Sequence, residues 1–142
     1  MESTRKCVRH CSRTSLTPAT DNVNHSYVVK TDAANFGYAL CASGVQRYQL
    51  INNGSGKLAV FKVDASGAGS VPQTSSVNLP AAPYAVAVAE TRDPSTGATR
   101  LVVVINGTTY IDYTDAAGLC PGDVGAVWFG NSAGVMGPIT TT

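Results

Sequence analysis

The chain has 142 residues, a net charge of +1 with its two histidines neutral, 44% hydrophobic residues and 13% charged ones, whereas about a quarter of the residues in ordinary soluble domains are charged. That length carries one domain with a core of its own. A near-neutral surface filled with Gly, Ser, Thr, Ala and Asn supplies no field that would gather nucleic acid or an anionic membrane, so both are discounted as partners.

Residues 1–24 form a basic arm in which Arg5, Lys6, Arg9 and Arg13 are opposed by Glu2 alone. The segment has no apolar periodicity, and its stretch of Ser, Thr and Pro has the composition of a loop. It contains no apolar run that reads as a secretory signal, and no later run approaches the roughly 18 apolar residues of a membrane span.

From residue 25 to 142 the pattern changes to short apolar or alternating runs closed by Gly, Asn, Pro or Asp, the spacing of an all-β sandwich or barrel. Nine strands are expected, at 25–30, 36–42, 48–51, 57–63, 75–79, 84–90, 100–105, 108–113 and 124–129. Asn52 to Gly56 reads as the turn of a hairpin between the third and fourth. The last four are expected to form a meander, with Asn106-Gly107 as a two-residue type I′ turn, because both residues tolerate positive φ. That turn sets Ile105 opposite Thr108, Val103 opposite Tyr110 and Leu101 opposite Asp112, so Tyr110 would share a face with Leu101, Val103 and Ile105. No segment holds a 3.6-residue apolar period for eleven residues, so no long helix is expected.

The run from Thr99 to Trp128, with its strand, Asn106-Gly107 turn, acidic strand end and Gly122-to-Gly125 strand start, resembles the closing part of laminin-G-like or concanavalin-A-like jelly rolls. The stretch through Tyr38, Tyr48 and Lys57 to Val63 resembles the middle of such a domain. The resemblance implies two antiparallel sheets packed face to face, and carbohydrate or protein binding. Relative to that family, little chain is available before Tyr38, and the end of the chain offers one weak apolar patch at Val135, Met136 and Ile139. An incomplete jelly roll would expose strand edges. Either the arm completes a neighbouring copy by strand complementation, or the chain is a fragment of a longer secreted polypeptide.

Chemistry is sparse. Sandwich glycosidases need paired carboxylates, yet Glu2 lies in the arm and Glu90 stands alone at a strand end. A catalytic triad would have to use His10 or His25, and no Gly-x-Ser-x-Gly elbow occurs, so the chain is read as non-enzymatic. Asp112, Asp115 and Asp123 cluster in sequence and are candidate Ca²⁺ ligands, although turn aspartates commonly bond their own backbone amides; no other cofactor is expected. Tyr113, Asp112, Asp115 and Asn106 are the candidate ligand-binding residues, while Trp128 reads as packing between sheets. Cys7, Cys11, Cys41 and Cys120 are candidate disulfide partners with three possible full pairings, and Asn24, Asn53 and Asn106 head glycosylation sequons. The combined expectation is a lectin-like extracellular or cell-surface module binding a glycan or a protein surface. The alternative is a structural subunit of an extracellular fibre or surface assembly, self-associating through the arm.

Overall fold

The computed structural model describes residues 22–120, 122–128 and 133–142, with the backbone alone at Trp128. Most of the expected arm lies outside these residues, as do Cys7, Cys11, His10 and the end of the ninth expected strand at Phe129. The described chain is all-β: β1 (Asn22–Thr31), β2 (Phe36–Ser43), β3 (Gln46–Asn52), β4 (Lys57–Val63), β5 (Gly69–Asn78), β6 (Tyr84–Arg92), β7 (Thr99–Ile105), β8 (Thr108–Asp115), β9 (Asp123–Trp128), β10 (Val135–Met136) and β11 (Thr140–Thr141). They build two antiparallel sheets. The first runs β10-β1-β6-β7-β8, with β11 also on β1, and the second runs β5-β4-β3-β2-β9.

Alternation decides the first sheet. In β1, β6 and β7 every second side chain is buried: Val23, His25, Tyr27 and Val29; Tyr84, Val86, Val88 and Glu90; Leu101, Val103 and Ile105. Of these, the apolar side chains from Tyr27 onward meet Phe36, Tyr38, Leu40, Tyr48, Leu50, Leu58 and Val60 from the second sheet in one continuous core, where each fully buried aliphatic or aromatic side chain contributes about 1.5–3 kcal/mol. The second sheet is covered on its other side as well. Ala39, Ala42, Ile51, Ala59 and Val127 are buried there with Phe61 against them, and Gly37 is fixed because a Cβ at that position would overlap the Leu50 carbonyl.

The hairpins form as expected. β3 and β4 pair around Asn53 to Gly56, and Asn106 and Gly107 adopt φ of 50° and 80°, which is the type I′ requirement. Three expectations are corrected. The β7–β8 register holds only at its start: Ile105 faces Thr108 and Val104 faces Thr109, but Val103 faces Ile111 and Leu101 faces Tyr113. Tyr110 is the extra residue of a β-bulge, and one inserted residue exchanges the faces of everything after it. Tyr110 therefore drops out of the pairing with β7 but stays half-buried against the core, and it donates its hydroxyl hydrogen to the Asn78 carbonyl of β5 (2.9 Å).

The meander also stops early. β9 crosses to the second sheet and pairs with β2, with Ala42 beside Asp123, because the intervening loop is anchored to β2 by the Cys41–Cys120 disulfide. Finally, the closing strand that the sequence lacked is present in two pieces. Val29 pairs with Met136, and His25 and Ser26 pair with Thr141 and Thr140. Gly137 and Pro138 interrupt the run, and Pro has no N–H to give a ladder, so neither piece has the length of a recognisable strand.

Candidate functional site

The C-terminal strap builds one wall of a groove. Gly137 N–H donates to the Val28 carbonyl (2.7 Å), and Thr142 and Asn24 exchange two backbone bonds of 2.9 Å, so residues 138–139 arch past the middle of β1. Beneath them Val28, Ala85, Ala87 and Val104, all on the outward face of the first sheet, form an apolar floor. Ser26, the Asn106-Gly107 turn and Pro138 make the rim of this open groove of 510 Å³. No charged side chain is among its described lining residues. The floor exists because β6 alternates Tyr84, Val86, Val88 inward with Ala85, Ala87, Ala89 outward. Three short side chains in a row leave a trough between β1 and β7.

Of the four candidate ligand residues, Asn106 alone lines this groove. Strand alternation separates the others. Asp112 is exposed and is held in a bidentate pair by Arg100, with Nε donating to Oδ1 (2.8 Å) and an Nη donating to Oδ2 (2.7 Å). That pair keeps the Asp112 carboxyl below its usual range. Tyr113 and Asp115 turn inward: the Tyr113 ring meets Tyr48 edge-on at 6.5 Å. Asp115 is buried, and its carboxylate accepts from the Tyr48 hydroxyl (2.7 Å), from Lys62 and from Ala117 N–H (3.0 Å). Burial pushes the Asp115 carboxyl up, but the Lys62, Tyr48 and Ala117 donors together hold it below the ordinary value. The same carboxylate, after burial itself, holds the Tyr48 phenol well above the usual tyrosine range. Asp112, Asp115 and Asp123 do not converge. Among the described residues, the one group of three metal-ligating side chains within mutual reach is Cys41, Glu90 and Cys120. The sequon asparagines Asn24, Asn53 and Asn106 are all exposed.

A second polar cluster, unforeseen from sequence, lies between the sheets. His25 sits in regular β1, where its side chain is 1% exposed, and Glu90 on neighbouring β6 is 4% exposed. With Tyr38 O–H donating to His25 Nδ1 (2.7 Å) and His25 Nε2–H donating to Glu90 Oε1 (2.8 Å), each of the three groups has a hydrogen-bond partner. Tyr27 stacks on Tyr38 with centroids 4.5 Å apart. Burial, then the Glu90 charge, raises the Tyr38 phenol far above its usual value. The inward phase of β1 and β6 places both His25 and Glu90 in the core, and that phase was the available signal.

No protein-family model matches the chain, and no curated protein does. Among solved structures, the fold is similar to the carbohydrate-binding module CBM66 from Bacillus subtilis, with a TM-score of 0.63 and 14% identity over 86% of this chain and 75% of that one. It is equally similar to the tail fibre protein gp63.1 from E. coli phage G7C, with a TM-score of 0.63 and 15% identity over 85% of this chain. The likeness covers 14% of the fibre chain. A native heptameric SAP-like pentraxin from Limulus polyphemus is similar with a TM-score of 0.49 and 12% identity, over 91% of this chain and 67% of that one. The class defined by fold is therefore the antiparallel two-sheet β-sandwich. Within it, this architecture is shared with a carbohydrate-binding module and with a segment of a phage tail fibre.

Proposed function

We propose that the chain is a non-catalytic, lectin-like module of an extracellular or cell-surface setting, and that it binds neutral glycans in the groove beside Asn106. The observation that carries this reading is the groove: an apolar floor on a rigid sheet, rimmed by the Asn106 amide and the Ser26 hydroxyl and lined by no described charged side chain. A pyranose offers a C–H face to such a floor and hydroxyls to such a rim, the combination that small-molecule sites use. The sandwich shared with a carbohydrate-binding module and the Cys41–Cys120 disulfide, a bond that persists in oxidising compartments, support the setting and the ligand class. A glycan array with and without Ca²⁺ tests it. Binding by the parent that Ala87→Arg abolishes and Asn106→Ala weakens is expected; a uniformly silent array, or binding indifferent to Ala87→Arg, refutes it. The competing role, assembly by strand complementation, loses its motive beside β1, where the chain's own β10 and β11 already pair. Light scattering with and without residues 1–21, the part of the expected arm that precedes β1, separates the two, since a monomer in both forms rules assembly out.

A further inference from the structure

The Cys41–Cys120 bond lies against a carboxylate that has no role in the groove. The two sulfurs and a Glu90 carboxylate oxygen all lie within 4.8 Å of one another. They come from three separate parts of the fold: Cys41 from β2, Glu90 from the facing sheet on β6, and Cys120 from the loop between β8 and β9. Cys41 is fully buried, Glu90 is 4% exposed and Cys120 is half-buried. A carboxylate taken out of water this far needs a compensating partner, and on the described side it has His25, whose Nε2–H donates to Oε1 (2.8 Å) while Tyr38 fixes the other ring nitrogen. The arrangement repeats the logic of metal centres, in which a ligating carboxylate is oriented by a hydrogen-bond donor behind it.

We propose that reduction of this disulfide converts the corner into a zinc site, with the Cys41 and Cys120 thiolates and the Glu90 carboxylate as ligands and His25 as the residue that positions Glu90. A thiol reductant supplies the two electrons: two RSH give up their hydrogens, the Cys–S–S–Cys bond breaks to two Cys–SH, and RS–SR leaves. Zn²⁺ then displaces the two thiol protons to solvent and forms two Zn–S bonds and one Zn–O bond, with a fourth position open to water, as three-ligand zinc sites have. Soft thiolates beside a carboxylate suit Zn²⁺ rather than Ca²⁺ or Mg²⁺. The corner thus has two exclusive closures, a covalent one under oxidising conditions and a metal one under reducing conditions. Both tie the β8–β9 loop to β2 and keep β9 on the second sheet.

The test uses the full chain carrying Cys7→Ser and Cys11→Ser, so that Cys41 and Cys120 are its only thiols, reduced with a phosphine and titrated anaerobically with Co²⁺. Thiolate-to-cobalt charge-transfer absorption saturating at one equivalent is expected, with Zn²⁺ displacing it and the oxidised chain showing none. Glu90→Gln is expected to weaken binding by more than about tenfold, and His25→Asn by about 10–100-fold, the range for partners that orient a ligand. In the unsubstituted reduced chain, Zn²⁺ is expected to protect Cys41 and Cys120 from alkylation, read by mass spectrometry, which holds whether or not the Glu90 and His25 variants fold. Absence of the absorption band in a reduced chain, unchanged affinity in a folded Glu90→Gln variant, or alkylation of Cys41 and Cys120 unaffected by Zn²⁺ would each overturn the proposal.

Discussion

Replacing Tyr48 with Phe removes a single oxygen from the centre of the polar network that joins β3 to the end of β8. The Tyr48 ring is fully buried; its hydroxyl donates to Asp115 Oδ2 (2.7 Å) and accepts from Leu119 N–H (3.2 Å). A hydrogen bond to a charged group is worth about 1.5–3 kcal/mol, and a buried amide left without an acceptor costs about 1 kcal/mol at the lower end of its range. The half-buried position of Leu119 justifies the lower figure. The expected loss is therefore about 2.5–4 kcal/mol, since the ring and its packing stay. With an unfolding entropy of about 2.1 cal/mol/K per residue, a domain of roughly 120 residues would melt about 10–15 °C lower. Urea titration and thermal melting by far-UV circular dichroism measure both quantities. A double-mutant cycle with Asp115→Asn isolates the pair and should return a coupling of about 1–2 kcal/mol. A Tyr48→Phe protein within about 0.5 kcal/mol of its parent, the ordinary range of surface changes, would refute the reasoning, because the network would then be carrying no load.

Two further outcomes are expected. Asp115 has a depressed folded-state pKa, so its contribution is fully present above the unfolded carboxylate value of about 3.9 and is lost as pH falls through the lower folded one. Melting temperature should hold near neutrality and drop below about pH 4, with a shallower drop in Asp115→Asn; an identical acid profile in that variant would show that Asp115 has no part in it. Removing the Cys41–Cys120 bond by a double Ala substitution opens a loop with 79 residues of sequence separation. The chain-entropy relation gives a loss of about 4.5 kcal/mol for that span, and a change below about 1 kcal/mol in denaturant titration would mean that the unfolded chain gains little freedom from the cut.

What the sequence revealed divides by the range of the interaction. Local signals were readable: alternation in β6 and β7, the Asn106-Gly107 turn and the glycine-rich β3–β4 connection all act within a few residues, and the structure repeats them. The register beyond Val103 was not, because a bulge costs one residue and leaves no composition signal; Tyr110 reads as well in a ladder as out of one. The destination of β9 depended on a disulfide whose pairing no spacing could choose, and β10 and β11 are too short to carry a period. The candidate site suffered from the same limit. Tyr113, Asp112 and Asp115 are neighbours in sequence, but pleating sends them to opposite sides. Asn106 reached the groove because turn residues are exposed wherever the strands go. The groove floor leaves no mark in the sequence because Ala85 and Ala87 carry no functional group, and nothing local joins His25 to Glu90 because 65 residues separate them.

The Tyr110 bulge has a consequence for how the protein behaves in a crowded solution. β8 borders the first sheet, and a straight border strand offers its unspent amides and carbonyls as a template on which further molecules stack into aggregates. One surplus residue spoils the spacing of that template, and the phenol tied to Asn78 holds the two sheets' margins together. Trimming the bulge would straighten the border, and precipitation of concentrated protein is the hazard that follows.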